Sequence, residues 1–165
     1  MHDDGATPIA EALFEMLVLE RRDDDDTARQ LHVPEPIRPR LRAKLLVYRE
    51  AAVLLALVLT SRVDPKFDRL RAAFEDLVRA GQSGHDPEDR LETVRLAMED
   101  VSEICLPGPD DRGQFHWSMR WLQELGCHET NPATLGYLAF MWGNEFRTAL
   151  GAMSDLQAQV HELPA

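Results

Sequence analysis

Lysine, cysteine and long apolar runs are all scarce in this chain, and each scarcity closes off a class of function. Of the 165 residues only two are lysine, Lys44 and Lys66, and two are cysteine, Cys105 and Cys127. Two cysteines supply no disulfide framework, so a core of side chains must hold the fold, and free thiols fit a reducing compartment. The longest apolar run, residues 51–59, is about half of the roughly 18–20 residues a membrane span requires, and it follows Arg49 and Glu50 directly. A buried helix is expected there, with no membrane association. Positive charge is also short: 18 basic residues stand against 29 acidic ones, for a net charge of -11. Nucleic acid is therefore not an expected partner, because each phosphate contact normally draws on an Arg or Lys. The opening residues, MHDDGATP, are acidic and lack the basic start of an export signal, which makes a cytoplasmic location the default expectation.

Catalytic motifs are missing as well. Gly-x-Ser-x-Gly, the phosphate-cradling Gly-x-x-x-x-Gly-Lys, His-Glu-x-x-His and Cys-x-x-Cys-His do not occur. The acidic tract at 23–26 has the charge of a calcium loop without its spacing, glycine or terminal glutamate. Cys105, His116, Cys127 and His128 are zinc-ligand types, but eleven residues of helix set His116 about 16 Å from Cys127. Glu124, four residues before His128, adds one further ligand type. The Glu-x-x-His spacing of di-iron bundles is absent. No metal and no cofactor are expected.

Helix starts, by contrast, are abundant. Thr7-Pro8, Asp64-Pro65, Asp86-Pro87 and Asn131-Pro132 each place a capping side chain before a proline, which has no N–H to leave unpaired in the first turn. Gly81 and Gly126 stand where helices should stop. Apolar periodicity then predicts helices over 8–22, 39–62, 65–80, 87–106 and 114–125, and a last one from 132 that reaches as far as 163. The expectation is an all-α single domain over 1–165: a compact bundle of five to six helices around a central apolar helix at about 39–62. A mobile acidic and proline-bearing connection is predicted at 23–36. A last helix of that length extends about 48 Å, so a break near Gly143-Asn144 is preferred over a projecting end. Gly136, Gly143 and Gly151 fall on one side of it and form a notch for another backbone.

Charge is polarised along the chain. Residues 1–36, 37–80 and 81–165 carry net charges of -7, +5 and -9. The basic density peaks at Arg38, Arg40, Arg42 and Lys44, at a helix start where the helix dipole already presents positive charge. Either the neighbouring acidic segments neutralise these side chains internally, or the cluster binds an anion or an acidic partner.

Seven of the eleven aromatic residues, including every Trp, lie between 115 and 146. His116, Trp117, Arg120, Trp121, Tyr137, Trp142 and Glu145 mix large apolar faces with groups that orient a ligand. The ordinary explanation is a core whose indole and phenol polar atoms sit at its rim. The functional one is an exposed partner face, or a pocket between the helices at 114–125 and 132–150. Two functions remain open. The leading one is a helical protein-interaction module without catalytic activity (adaptor, accessory subunit, immunity protein or chaperone), acting with a protein partner or as a homo-oligomer. The alternative is a small-molecule-binding sensor or small helical enzyme using that pocket.

Overall fold

A computed structural model describes residues 5–19, 24–81, 86–106 and 112–163. They form an all-α, compact fold, with no strand among the described residues. The helices are α1 (Ala6–Phe14), α2 (Asp24–Gln30), α3 (Arg38–Val63), α4 (Phe67–Ala80), α5 (Pro87–Cys105), α6 (Arg112–Gln123) and α7 (Pro132–His161). A π-helical turn, Glu15–Leu19, extends α1, and a 3-10 turn, Glu35–Ile37, leads into α3. Each helix expected from periodicity has its counterpart among the described residues, the end of the first, 20–22, lying outside them, and the acidic tract adds α2. No helix among the described residues is long and apolar enough to cross a membrane.

Two of the four proline signals work as hydrogen-bonding caps. The Asp86 side chain accepts from the Glu88 N–H at 2.9 Å, and Asn131 accepts from the Ala133 N–H at 2.9 Å. Asp64 instead accepts from the Lys66 N–H at 3.1 Å, and α4 begins only at Phe67. Thr7 caps nothing, because α1 already starts at Ala6 behind Gly5 in the left-handed region at φ 65°. Asp86→Ala and Asn131→Ala should therefore each remove about 1 kcal/mol of stability in urea unfolding, while Thr7→Ala should change it by less than about 0.5 kcal/mol. Gly126, at φ 86°, closes α6 by letting the Cys127 N–H reach the Leu122 carbonyl at 2.9 Å.

α3 packs against α4, α5 and α7, α1 lies on α4, and α6 lies on α7. Residues 51–57 are all buried. The acidic helix α2 is tied to α3 by Asp24 to Arg49 at 2.5 Å and Asp25 to Arg42 at 2.7 Å. Thr27, Ala28, Leu31 and Val33 turn inward from this stretch and are buried.

The break preferred near Gly143-Asn144 does not occur: α7 is continuous for 30 residues. Local sequence favours an interruption, but Leu135, Leu138, Trp142, Phe146, Ala149, Met153 and Val160 are buried along one stripe that crosses the glycine. Packing on both sides holds the helix through it. The helix runs about 45 Å. The end is fastened rather than projecting: His161 Nε2 lies 2.6 Å from Asp64 Oδ2, and Lys66 Nζ donates to the His161 carbonyl at 3.4 Å.

Candidate functional site

Tyr48, on α3, collects the indoles that the sequence concentrates between 115 and 146. Its ring centroid lies 6.3 Å from Trp117, 5.5 Å from Trp121 and 5.4 Å from Trp142. Trp117 and Trp121, one turn apart on α6, stack at 6.4 Å, and Trp121 meets Trp142 of α7 at 6.2 Å. All four side chains are buried. The Trp121 and Trp142 Nε1 atoms are buried with no hydrogen-bond partner, so these indoles do not place their polar atoms at a rim as expected. These three indoles face one another and Tyr48 in the core.

The polar members expected around them are dispersed. His116 and Arg120 are exposed, while Tyr137 and Glu145 are half-buried. Arg120 reaches from α6 to α5, donating to Asp100 at 3.1 Å and Glu103 at 3.4 Å. Asp100 also accepts from the Tyr48 hydroxyl at 2.6 Å. Burial, with Asp100 acting in the same direction, holds the Tyr48 pKa above the ordinary phenol range, so the hydroxyl remains a donor.

The basic cluster at the start of α3 is divided among neighbouring elements. Arg42 pairs with Asp25, Arg40 donates to the Glu124 carbonyl at 3.4 Å, and Arg38 is half-buried with its Nε unpaired. Lys44 pairs with Glu124 and donates to the Trp121 carbonyl at 3.1 Å. Its ammonium sits 4.6 Å from the Trp121 ring centroid and 5.6 Å from that of Tyr48. Burial lowers its pKa more than Glu124 raises it. Of the four, Arg42 and Lys44 thus have a carboxylate partner within the fold.

Two concave regions flank the aromatic cluster. The larger, about 590 Å³, opens between α3 and α5 and reaches Glu124 beyond α6; Lys44, Val47, Tyr48, Arg90, Leu96, Glu99 and Asp100 are among its lining residues. Sequence reasoning missed it, including Tyr48 and Asp100. Beside it Arg90 and Glu50 form an ion pair with both side chains buried. The smaller, about 400 Å³, lies among α5, α6 and α7 and is lined by Ile104, Cys105, Gln114, Gly136, Ala139, Phe140, Gly143, Phe146 and Arg147.

No family model, curated protein or solved structure matches this chain.

The smaller groove carries the exposed aromatic surface. Phe140 is 65% exposed and Phe115 40% exposed, and Leu106 at the end of α5 is exposed too. A Cβ on Gly143 would meet nothing within 4 Å, and one on Gly136 would meet only Phe115 at 3.9 Å. Packing within the fold thus does not require either glycine, although glycine inside a helix costs about 1 kcal/mol relative to alanine. Cys105 donates to the Trp142 carbonyl at 3.4 Å, and burial pushes its thiol up to about 12 against the opposing effect of Arg147. It is a packed thiol held in its protonated form. Burial likewise raises Cys127. Among the described residues no group of three or more His, Cys, Asp or Glu side chains is placed to hold a metal ion.

Proposed function

We propose that the protein is a non-catalytic helical interaction module, an adaptor or accessory subunit, that docks a helix of a protein partner into the groove among α5, α6 and α7. The observation that carries this reading is the pair Phe115 and Phe140, exposed on two helices beside a groove lined by Gly136 and Gly143. A partner helix approaching the glycines would cover both rings, and apolar anchors in a shallow groove are the usual centre of such a contact. Arg147, lining the same groove, suits a partner carboxylate. The small-molecule reading has less support, because Trp117, Trp121 and Trp142, the walls expected of its pocket, are buried around Tyr48 and line neither concave region.

Native mass spectrometry of the protein purified gently from its own host tests this. The wild type should carry a stoichiometric protein partner, and Phe140→Asp should reduce its recovery at least about tenfold. Since Phe140 is mostly exposed, the same change should move unfolding stability by no more than about 0.5 kcal/mol. A bound small mass in place of a protein, or a partner retained unchanged by Phe140→Asp, would sink the proposal.

A further inference from the structure

The partner face just described leaves the larger cleft between α3 and α5 without a role. Its charges are sorted by depth. The two cations, Lys44 and Arg90, have side chains only 14% and 6% exposed, and each is held by a carboxylate, Glu124 or Glu50. Glu50 lies deeper still, at 1% exposed, but the carboxylates that line the cleft lie further out: Glu124 is 51% exposed, Asp100 is partly exposed and paired with Arg120 of α6, and Glu99 stands on the helix surface. A group arriving from solvent therefore meets negative charge first. It also meets Leu96, 57% exposed on the cleft wall, with Val47 and Ala97 behind it.

α5 extends this pattern beyond the cleft. Glu92, Leu96, Glu99 and Glu103 follow at spacings of four, three and four, which puts them on one face of the helix, and all four are exposed. A large apolar residue is thus flanked along the helix by carboxylates. Arg95, the basic residue nearest this face in sequence, is drawn away to Glu75 of α4 at 3.3 Å, and Arg120 of α6 pairs with Asp100 and Glu103, so Glu92 and Glu99 carry the charge this face presents to solvent. Phosphate backbones and anionic lipid surfaces are repelled by such a face, and so is a second copy of a chain whose net charge is -11.

From this placement we infer that the α3–α5 cleft is a second docking surface, taking a basic amphipathic segment of a partner protein. One apolar side chain of that segment covers Leu96 and Val47, while its Lys or Arg residues reach Glu99 and Glu92 on the exposed face of α5. Charge complementarity selects the occupant and the exposed leucine fixes its register. This extends the interaction-module reading by giving it a second face of opposite chemistry. It does not involve Phe115 or Phe140, so either surface can fail while the other stands.

The test uses two fluorescein-labelled helical peptides of identical length, one of Leu, Ala and Arg with an amphipathic pattern and one with every Arg replaced by Glu, titrated with the full chain at about 0.15 M salt. The Arg peptide should bind saturably and the Glu peptide should not. Glu99→Lys and Leu96→Asp should each weaken the Arg peptide about tenfold. Glu15→Lys, an equal change of charge on the exposed surface near α1, should alter it less than twofold. Phe140→Asp should leave it unchanged. Circular dichroism verifies that each variant is folded. Equal weakening by Glu15→Lys would reduce the effect to net charge and overturn the inference. So would binding of the Glu peptide, absence of saturable binding, or equally tight binding of spermine with the same sensitivity to Glu99→Lys and Leu96→Asp, which would mark a small-amine site instead.

Discussion

At pH 8, Arg90→Met should destabilise the fold by about 3–5 kcal/mol, because it strands the Glu50 carboxylate in the interior. Glu50 is 1% exposed and, among the described residues, its Oε1 has no hydrogen-bond partner and Arg90 is the cation that compensates its charge. Replacing both partners, Glu50→Leu with Arg90→Met, should recover most of the loss, since apolar side chains of similar volume have no desolvation to offset. The pH dependence follows from the same burial. Desolvation pushes the Glu50 carboxyl up to about 7, with Arg90 pulling in the opposite direction, from an ordinary value of 4.5. Between those values the folded state holds a proton that the unfolded chain has released. The stability this supplies is full below about pH 4.5 and is lost as pH rises through about 7. Glu50→Gln cannot release that proton. In urea unfolding the stability of Glu50→Gln relative to the wild type should therefore climb from pH 4.5 to 8, and the cost of Arg90→Met should shrink toward pH 5. A difference that stays flat across this range would show that Glu50 is charged in the fold throughout.

That ion pair also marks where sequence reasoning ran out. Glu50 and Arg90 are 40 residues apart, and Tyr48 and Asp100 are 52 apart. Nothing local announces either contact. The helices themselves were legible because caps, prolines and apolar spacing act over a few residues: Asp86 and Asn131 were read correctly as caps, and α5 and α7 begin at the prolines that follow them. Thr7 failed for the same local reason, since Gly5 offers the chain an earlier turn. The stretch 23–36 reads as a mobile connection by composition alone. Within it Asp24, Asp25 and Asp26 instead lie in the first turn of α2, where the helix dipole favours them, and the partners of Asp25 and Asp24, Arg42 and Arg49, come 17 and 25 residues later.

The aromatic region was located but only half interpreted. A spacing of four residues puts Trp117 beside Trp121 and Trp142 beside Phe146, yet it does not say which faces turn inward. Tyr48 was overlooked because a lone aromatic residue in an apolar helix gives no signal of its own. Only when α3, α6 and α7 assemble does it become the ring against which all three indoles pack. Conversely, Phe115 and Phe140, which the sequence counts with the same cluster, point away from it and remain exposed.

Trp142→Ala should consequently cost about 3–5 kcal/mol, while Phe140→Ala, two residues away on the same helix, should cost no more than about 0.5 kcal/mol. Trp142 is fully buried and contacts Tyr48 and Trp121, so truncation opens a cavity where α3, α6 and α7 meet. Trp142→Phe should recover more than half of that loss. It keeps an aromatic ring in the cluster and also deletes an indole N–H that is buried without a partner, a group whose removal relieves an unmet desolvation. Because Trp121 and Trp142 touch, the double alanine variant should lose less than the two single losses together, the second truncation enlarging a cavity already present. Chemical unfolding of the five variants, Trp121→Ala included, with near-UV circular dichroism to report the indole environment, measures all of this. If Trp142→Ala and Phe140→Ala prove equally mild, the aromatic cluster is no core, and its indoles must again be considered as walls of a ligand pocket.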